Sequence, residues 1–223
     1  MLRFFRRSGS WKQHFDEGMA HGKASDFARA EASFRESVRL APTEPYPRYE
    51  LGYTLLLQER YGQALVEFRR TNELVCGFFL VQTEIYICEE ILAGRMSATV
   101  QSMLRFLQRL TDSGGVQSEQ AVFVSRKVVE LEPECALGHY HLAKALMNVD
   151  PLAAESALQR CVALRVDDTT AIDAKFHLGA LRHQSGQDAE ARRIWQEILA
   201  EYPRNVHVTI VEINLRQGER SGK

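Results

Sequence analysis

Between Asp26 and Leu40 the apolar residues Phe27, Ala30, Phe34 and Val38 fall at steps of three and four. That spacing puts them on one face of an α-helix. A first helix precedes it around His14–Ala20 and ends at Gly22, Ser25 or Asp26 offers the capping oxygen for the second, and Ala41-Pro42 stops it. Small Gly18 and Ala30 let the two helices approach, with Phe34 filling the space beside them. The pattern returns 34 residues later, where Gly18, Ala30, Phe34 and Pro42 recur as Gly52, Ala64, Phe68 and Cys76. Near the other end Leu178-Gly179, Ala191, Trp195, Ile198 and Pro203 keep the same offsets. A fourth copy has Leu142-Ala143, Ala154, Leu158 and Cys161, one residue short between its two alanines, with Asp150-Pro151 supplying an N-cap and a first-turn proline. Self-similarity at this period marks a helix-turn-helix unit that must stack on its neighbours to bury its apolar face.

The pattern breaks in the middle. Residues 78–112 read as two helices, Phe79 to Leu92 and Ser97 to Leu110, without the small-residue pair or the aromatic in place. A further helix, Gln117 to Leu131, ends at Glu132-Pro133 and carries Ala121, Ser125 and Val128. Ala121 follows Ala98 by only 23 residues, so this stretch reads as a non-standard three-helix insert. It bends the stack or divides it around Asp112-Ser113-Gly114-Gly115. After Pro203, the apolar alternation from Asn205 to Leu215 fits a strand, but the repeat context favours a capping helix, because the last repeat otherwise leaves its apolar face in water.

A small residue in each helix, an aromatic four residues after the second, and a closing proline resemble the tetratricopeptide repeat family over residues 11–75 and 117–205. The resemblance implies an all-α fold, a right-handed superhelical solenoid of antiparallel helix pairs, with about 11–12 helices and an irregular middle. The organisation expected is a basic leader at 1–10, two repeat units at 11–76, an irregular segment at 77–133, two further units at 134–204, a capping helix at 205–217 and a tail at 218–223. The implied role is an adaptor that presents a concave groove to peptides or helices of partner proteins.

A net charge of −1 argues against a broad nucleic-acid surface or an anionic-membrane surface, either of which would need a basic excess. No apolar run approaches the ~20 residues that span a bilayer; Val75 to Ile91 is interrupted by Gln82, Glu84, Glu89 and Glu90. The leader Met1–Ser10 is basic and partly aromatic, yet lacks the apolar core and cleavage site of a secretory signal. Cys76, Cys88, Cys135 and Cys161 form no C-x-x-C pair and read as small hydrophobes in the core. The expectation is a cytoplasmic protein.

Nothing in the sequence points to catalysis, a cofactor or a metal. His139 and His141 are two apart and His177 and His183 six apart, whereas a metal on one helix prefers histidines three or four apart. The carboxylates fall at helix ends and polar faces, and no nucleophile motif or phosphate loop is present. The chain therefore reads as a non-enzyme.

In the resembling family the first helix of each repeat lines the concave surface. Here that face carries Phe15 and Met19, then Tyr46, Tyr49 and Tyr53, then Tyr140 and Lys144, then Phe176 and His177. Phe15, Tyr49, Tyr140 and Phe176 hold equivalent places and suggest an aromatic stripe. Two readings stay open: a groove that grips apolar side chains, or rings packed between repeats. Some family members bind chaperone C-termini through a lysine–asparagine clamp; the matching places here are Phe15, Met19, Tyr49 and Tyr53, so that clamp is absent. The sequence thus favours an adaptor or scaffold for a protein or peptide partner. The alternatives are a self-associating module and a protein that holds an apolar segment as secretion chaperones do.

Overall fold

The computed structural model describes residues 10–76, 78, 80–203 and 211. Among them are eleven α-helices: α1 Trp11–Lys23, α2 Phe27–Leu40, α3 Pro45–Leu57, α4 Tyr61–Leu74, α5 Val81–Leu92, α6 Ala98–Asp112, α7 Glu119–Leu131, α8 Ala136–Leu146, α9 Pro151–Ala163, α10 Asp168–Gln184 and α11 Asp188–Glu201. No helix among the described residues is long and apolar enough to cross a membrane. Most helix starts follow capping chemistry. Asp26 accepts from Arg29 N at 3.2 Å, Ser97 from Val100 N, Ser118 from Ala121 N, Asp150 from Ala153 N and Asp167 from Thr170 N. Ser25, the other candidate cap, instead sits in the left-handed region at φ 59°, and Glu59 repeats it one period later at φ 58°.

The chain divides into two compact units between Leu92 and Ala93. In the first, the hairpins α1–α2 and α3–α4 pack in order and α5 packs on α4. In the second, α6–α7, α8–α9 and α10–α11 form three hairpins, each second helix packing on the next first helix. The segment expected as a three-helix insert is thus shared, with α5 in the first unit and α6–α7 a hairpin of the second. Glu132 at the end of α7 accepts from Ser97 N at the start of α6, at 2.8 Å, which ties the two helices antiparallel. Asp112–Gly115, expected near the division, is the turn inside this pair. Ser125 occupies the place that Phe34 and Phe68 hold in their hairpins. It is buried and its Oγ donates to Ala121 O at 2.7 Å, so the packing needs no ring there.

Within three hairpins the first-helix glycine lies under the second-helix aromatic. A Cβ on Gly18 would stand 2.6 Å from the Phe34 ring, and one on Gly52 2.9 Å from Phe68. Gly179 lies under Trp195, whose Nε1 donates to Phe176 O at 3.1 Å. In the α8–α9 hairpin Ala143 and Leu158 take these two places, both fully buried. The glycine thus seats the ring itself, a closer relation than the Gly18–Ala30 approach expected from sequence. Cys88, Cys135 and Cys161 are buried as expected. Cys76 is exposed, two residues beyond the end of α4.

The expected capping helix and tail lie outside the described residues apart from Val211, which is helical and buried with Ile172, Ala191, Trp195 and Ile198. The leader likewise lies outside them up to Ser10, whose Oγ accepts from Gln13 N.

Candidate functional site

Four aromatic residues at equivalent places on the first helices split into two kinds. Phe15 rests on Phe34 at 5.8 Å between centroids, Tyr49 on Phe68 at 5.7 Å, and Phe176 stacks on Trp195 at 6.1 Å with 27° between planes. These three half-buried rings pack on the aromatic of their own hairpin. Tyr140 has Leu158 at that place instead, and its hydroxyl donates to Asp173 Oδ2 on α10 at 2.5 Å.

On α3, Tyr46 stays open, with 46% of its surface exposed, and stands edge-on to Phe78 at 4.8 Å. Tyr49 meets the same Phe78 ring at 5.8 Å. Tyr53 and Met19 are half-buried at the rim of the first unit's core. Tyr46, Tyr49 and Tyr53 follow one another at steps of three and four, so they share one face of α3. Glu50, on the same helix, is pushed above its ordinary carboxylate range by burial.

In the second unit the expected residues Tyr140, Lys144 and His177 converge on a fourth that sequence reasoning missed. Lys144 Nζ lies 3.5 Å from Asp173 Oδ2 and 3.4 Å from His177 Nε2, and His177 Nε2 lies 3.3 Å from Asp173 Oδ2. The ammonium also sits 5.5 Å from the centroid of the Tyr140 ring, a cation–π distance. Burial opposes ionisation of Asp173, but hydrogen bonding to His177, the charges beside it and the Tyr140 hydroxyl outweigh it and hold the carboxyl below its usual range. Burial, together with the negative charge of Asp173, pushes the Tyr140 phenol well above its ordinary range. A signal for Asp173 existed in the sequence. It precedes His177 by four residues, and it lies 33 residues after Tyr140, close to one repeat period.

The other described histidines of the second unit do not join this cluster. His141 is buried, and burial with the nearby Lys144 charge lowers it to about 4. His139 Nε2 contacts Pro133 O at 2.9 Å, and His183 Nδ1 lies 2.6 Å from Asp188. Among the described residues no group of three or more His, Cys, Asp or Glu side chains converges as a metal site. What the first helices offer is surface: an apolar face with one open ring in the first unit, and a partly exposed polar cluster in the second.

Antiparallel helix pairs in which a small first-helix residue seats a large second-helix side chain, repeating near 34 residues, are a tetratricopeptide-type fold, and that is the fold of this chain. No protein-family model and no curated protein matches the sequence. Among solved structures it is similar to YrrB, a TPR protein with an unusual peptide-binding site, at 12% identity over 94% of this chain and 99% of that one, with a TM-score of 0.42. It is similar also to TTC0263, a thermophilic TPR protein of Thermus thermophilus, at 17% identity over 93% and 100% of the two chains, with a TM-score of 0.41. The TPR domain of P58(IPK) matches at 16% identity over 95% of this chain and 67% of that one, with a TM-score of 0.40.

Proposed function

We propose that this chain is a non-catalytic protein-interaction adaptor that holds a segment of a partner protein against the first helices of its hairpins. The observation that carries the reading is the face of α3. Tyr46 is 46% exposed and is supported edge-on by Phe78, beside Tyr49. An open tyrosine backed by other rings offers a large apolar area and a polar tip without having to be ordered on binding, which suits an anchor for a partner side chain.

Tyr49 and Tyr140 are poor test positions, since one packs on Phe68 and the other bonds Asp173. Tyr46→Ala removes the open ring at a cost to folding of about 0.5–1.5 kcal/mol, the worth of an edge contact. Affinity capture from the native host with wild-type and Tyr46→Ala protein, quantified by mass spectrometry, should show a discrete set of partners depleted in the variant. Equal capture of every partner by the two proteins, both folded by circular dichroism, would show that this face is not the anchor.

A further inference from the structure

All three contacts on Asp173 fall on the same oxygen. Tyr140 Oη, Lys144 Nζ and His177 Nε2 each approach Oδ2, and none of the contacts among the described residues uses Oδ1. The side chain is 39% exposed, so the accessible lone pairs are those of Oδ1. Lys144 carries three protons, of which Asp173 Oδ2 and His177 Nε2 occupy at most two, and its side chain is 23% exposed. One surface point between α8 and α10 therefore offers an ionised acceptor and a charged donor side by side.

The pairing selects its ligand. An anion approaching Lys144 meets the carboxylate of Asp173, and a cation approaching Asp173 meets the ammonium of Lys144, so a charged ligand gains little net attraction. A neutral group with its own donor and acceptor suffers no such penalty. In an extended chain the N–H and C=O of one residue point to the same side, as they do in an antiparallel ladder. We propose that the Tyr140–Lys144–Asp173–His177 cluster binds the main chain of an extended partner segment. Asp173 Oδ1 accepts from a backbone N–H and Lys144 donates to the C=O of the same residue. Tyr140 and His177 are positioning residues that turn Oδ2 inward and leave Oδ1 open. This rests on the adaptor reading above and adds the form of the partner: extended, uncharged where it meets α8 and α10, and read through its backbone.

The test is NMR observation of the His177 and Tyr140 side-chain resonances in the full chain during titration with the tripeptide acetyl-Val-Thr-Val-amide. Three comparison probes are its fully N-methylated analogue, acetate and methylguanidinium. The proposal expects a saturable shift with the tripeptide, no saturable shift with the other three, and an affinity about tenfold weaker or worse in Lys144→Met and in Asp173→Ala. Circular dichroism of both variants checks that they are folded. No saturable response to the tripeptide, an equal response to the N-methylated analogue, or a stronger response to acetate or methylguanidinium would each overturn it. Partner capture through Tyr46 is read in a separate experiment. A silent cluster with Tyr46-dependent capture intact removes the backbone site alone, whereas capture indifferent to Tyr46 removes the adaptor reading.

Discussion

A hydrogen atom where most residues carry a methyl group sets the helix spacing at Gly18, Gly52 and Gly179, each directly under an aromatic ring. Adding that methyl overpacks the site, so alanine at any of the three should cost about 1–3 kcal/mol in urea unfolding. Gly22 and Gly62 are the internal controls, because nothing lies within 4 Å of a Cβ at either. Alanine at Gly62, inside α4, should stabilise by roughly 0.5–1 kcal/mol through helix propensity. His141 makes a second prediction at this scale. Its imidazole takes up a proton near 6.5 in the unfolded chain and at about 4 in the fold. The unfolded chain thus binds the extra proton first, so stability is full above pH 6.5 and is lost as the pH falls towards 4, by on the order of 3 kcal/mol. Asp173, held below its ordinary value of 3.8, contributes stability that is lost only at lower pH still. His141→Leu should flatten the pH 4–6.5 window and leave the lower one in place, as read by thermal melts across pH.

At the scale of the element, the turns after α1 and α3 place Ser25 and Glu59 at φ 59° and 58°, and the corresponding turn after α10 uses Gly186 at φ 78°. A residue with a Cβ costs about 1–2 kcal/mol in that region. Ser25→Gly and Glu59→Gly should therefore raise the unfolding free energy read from urea denaturation, by up to about 1 kcal/mol each after the entropy of a freer unfolded chain is subtracted. Second helices also pin the hairpin that follows them. Glu31 on α2 pairs with Arg60 at 2.5 Å and Glu155 on α9 pairs with Arg182, in each case from the residue after the buried alanine. Helices with a glycine and a ring at fixed offsets were legible in the sequence for a physical reason, since those two residues make the contact. The α6–α7 hairpin was not read as a pair because its second helix seats Ser125, and a serine bonded to its own backbone leaves no pattern. Asp173 was missed for a related reason. Equivalent places on the first helices are marked by aromatics, while the carboxylate that gathers Tyr140, Lys144 and His177 sits one turn before His177 on α10.

For the molecule as a whole, the division after Leu92 leaves each unit with its own core and its own buried thiols. Cys88 belongs to the first unit, and Cys135 and Cys161 to the second. Burial pushes the Cys88 and Cys161 thiols up to about 12, so neither is reactive while folded. Exposed Cys76 should react alone with a maleimide in the native protein, giving one adduct by intact mass and four after denaturation. Labelling of Cys88 and of Cys161 during mild denaturation then times the opening of each unit separately. The aromatic stripe expected from sequence resolves at this scale into three rings that serve their own hairpins and one tyrosine that organises charge, while the open tyrosine, Tyr46, lies beside it.

The ring seated on Gly179 has an optical consequence. The chain holds two tryptophans, Trp11 in the first unit and Trp195 in the second, the latter only 7% exposed and hydrogen-bonded to Phe176 O. Each unit thus carries a single tryptophan. In Trp11→Phe protein, indole emission excited at the red edge, where tyrosine does not absorb, reports on the second unit alone, starting from the short wavelengths of an indole shielded from water and moving to the red as α10 and α11 part.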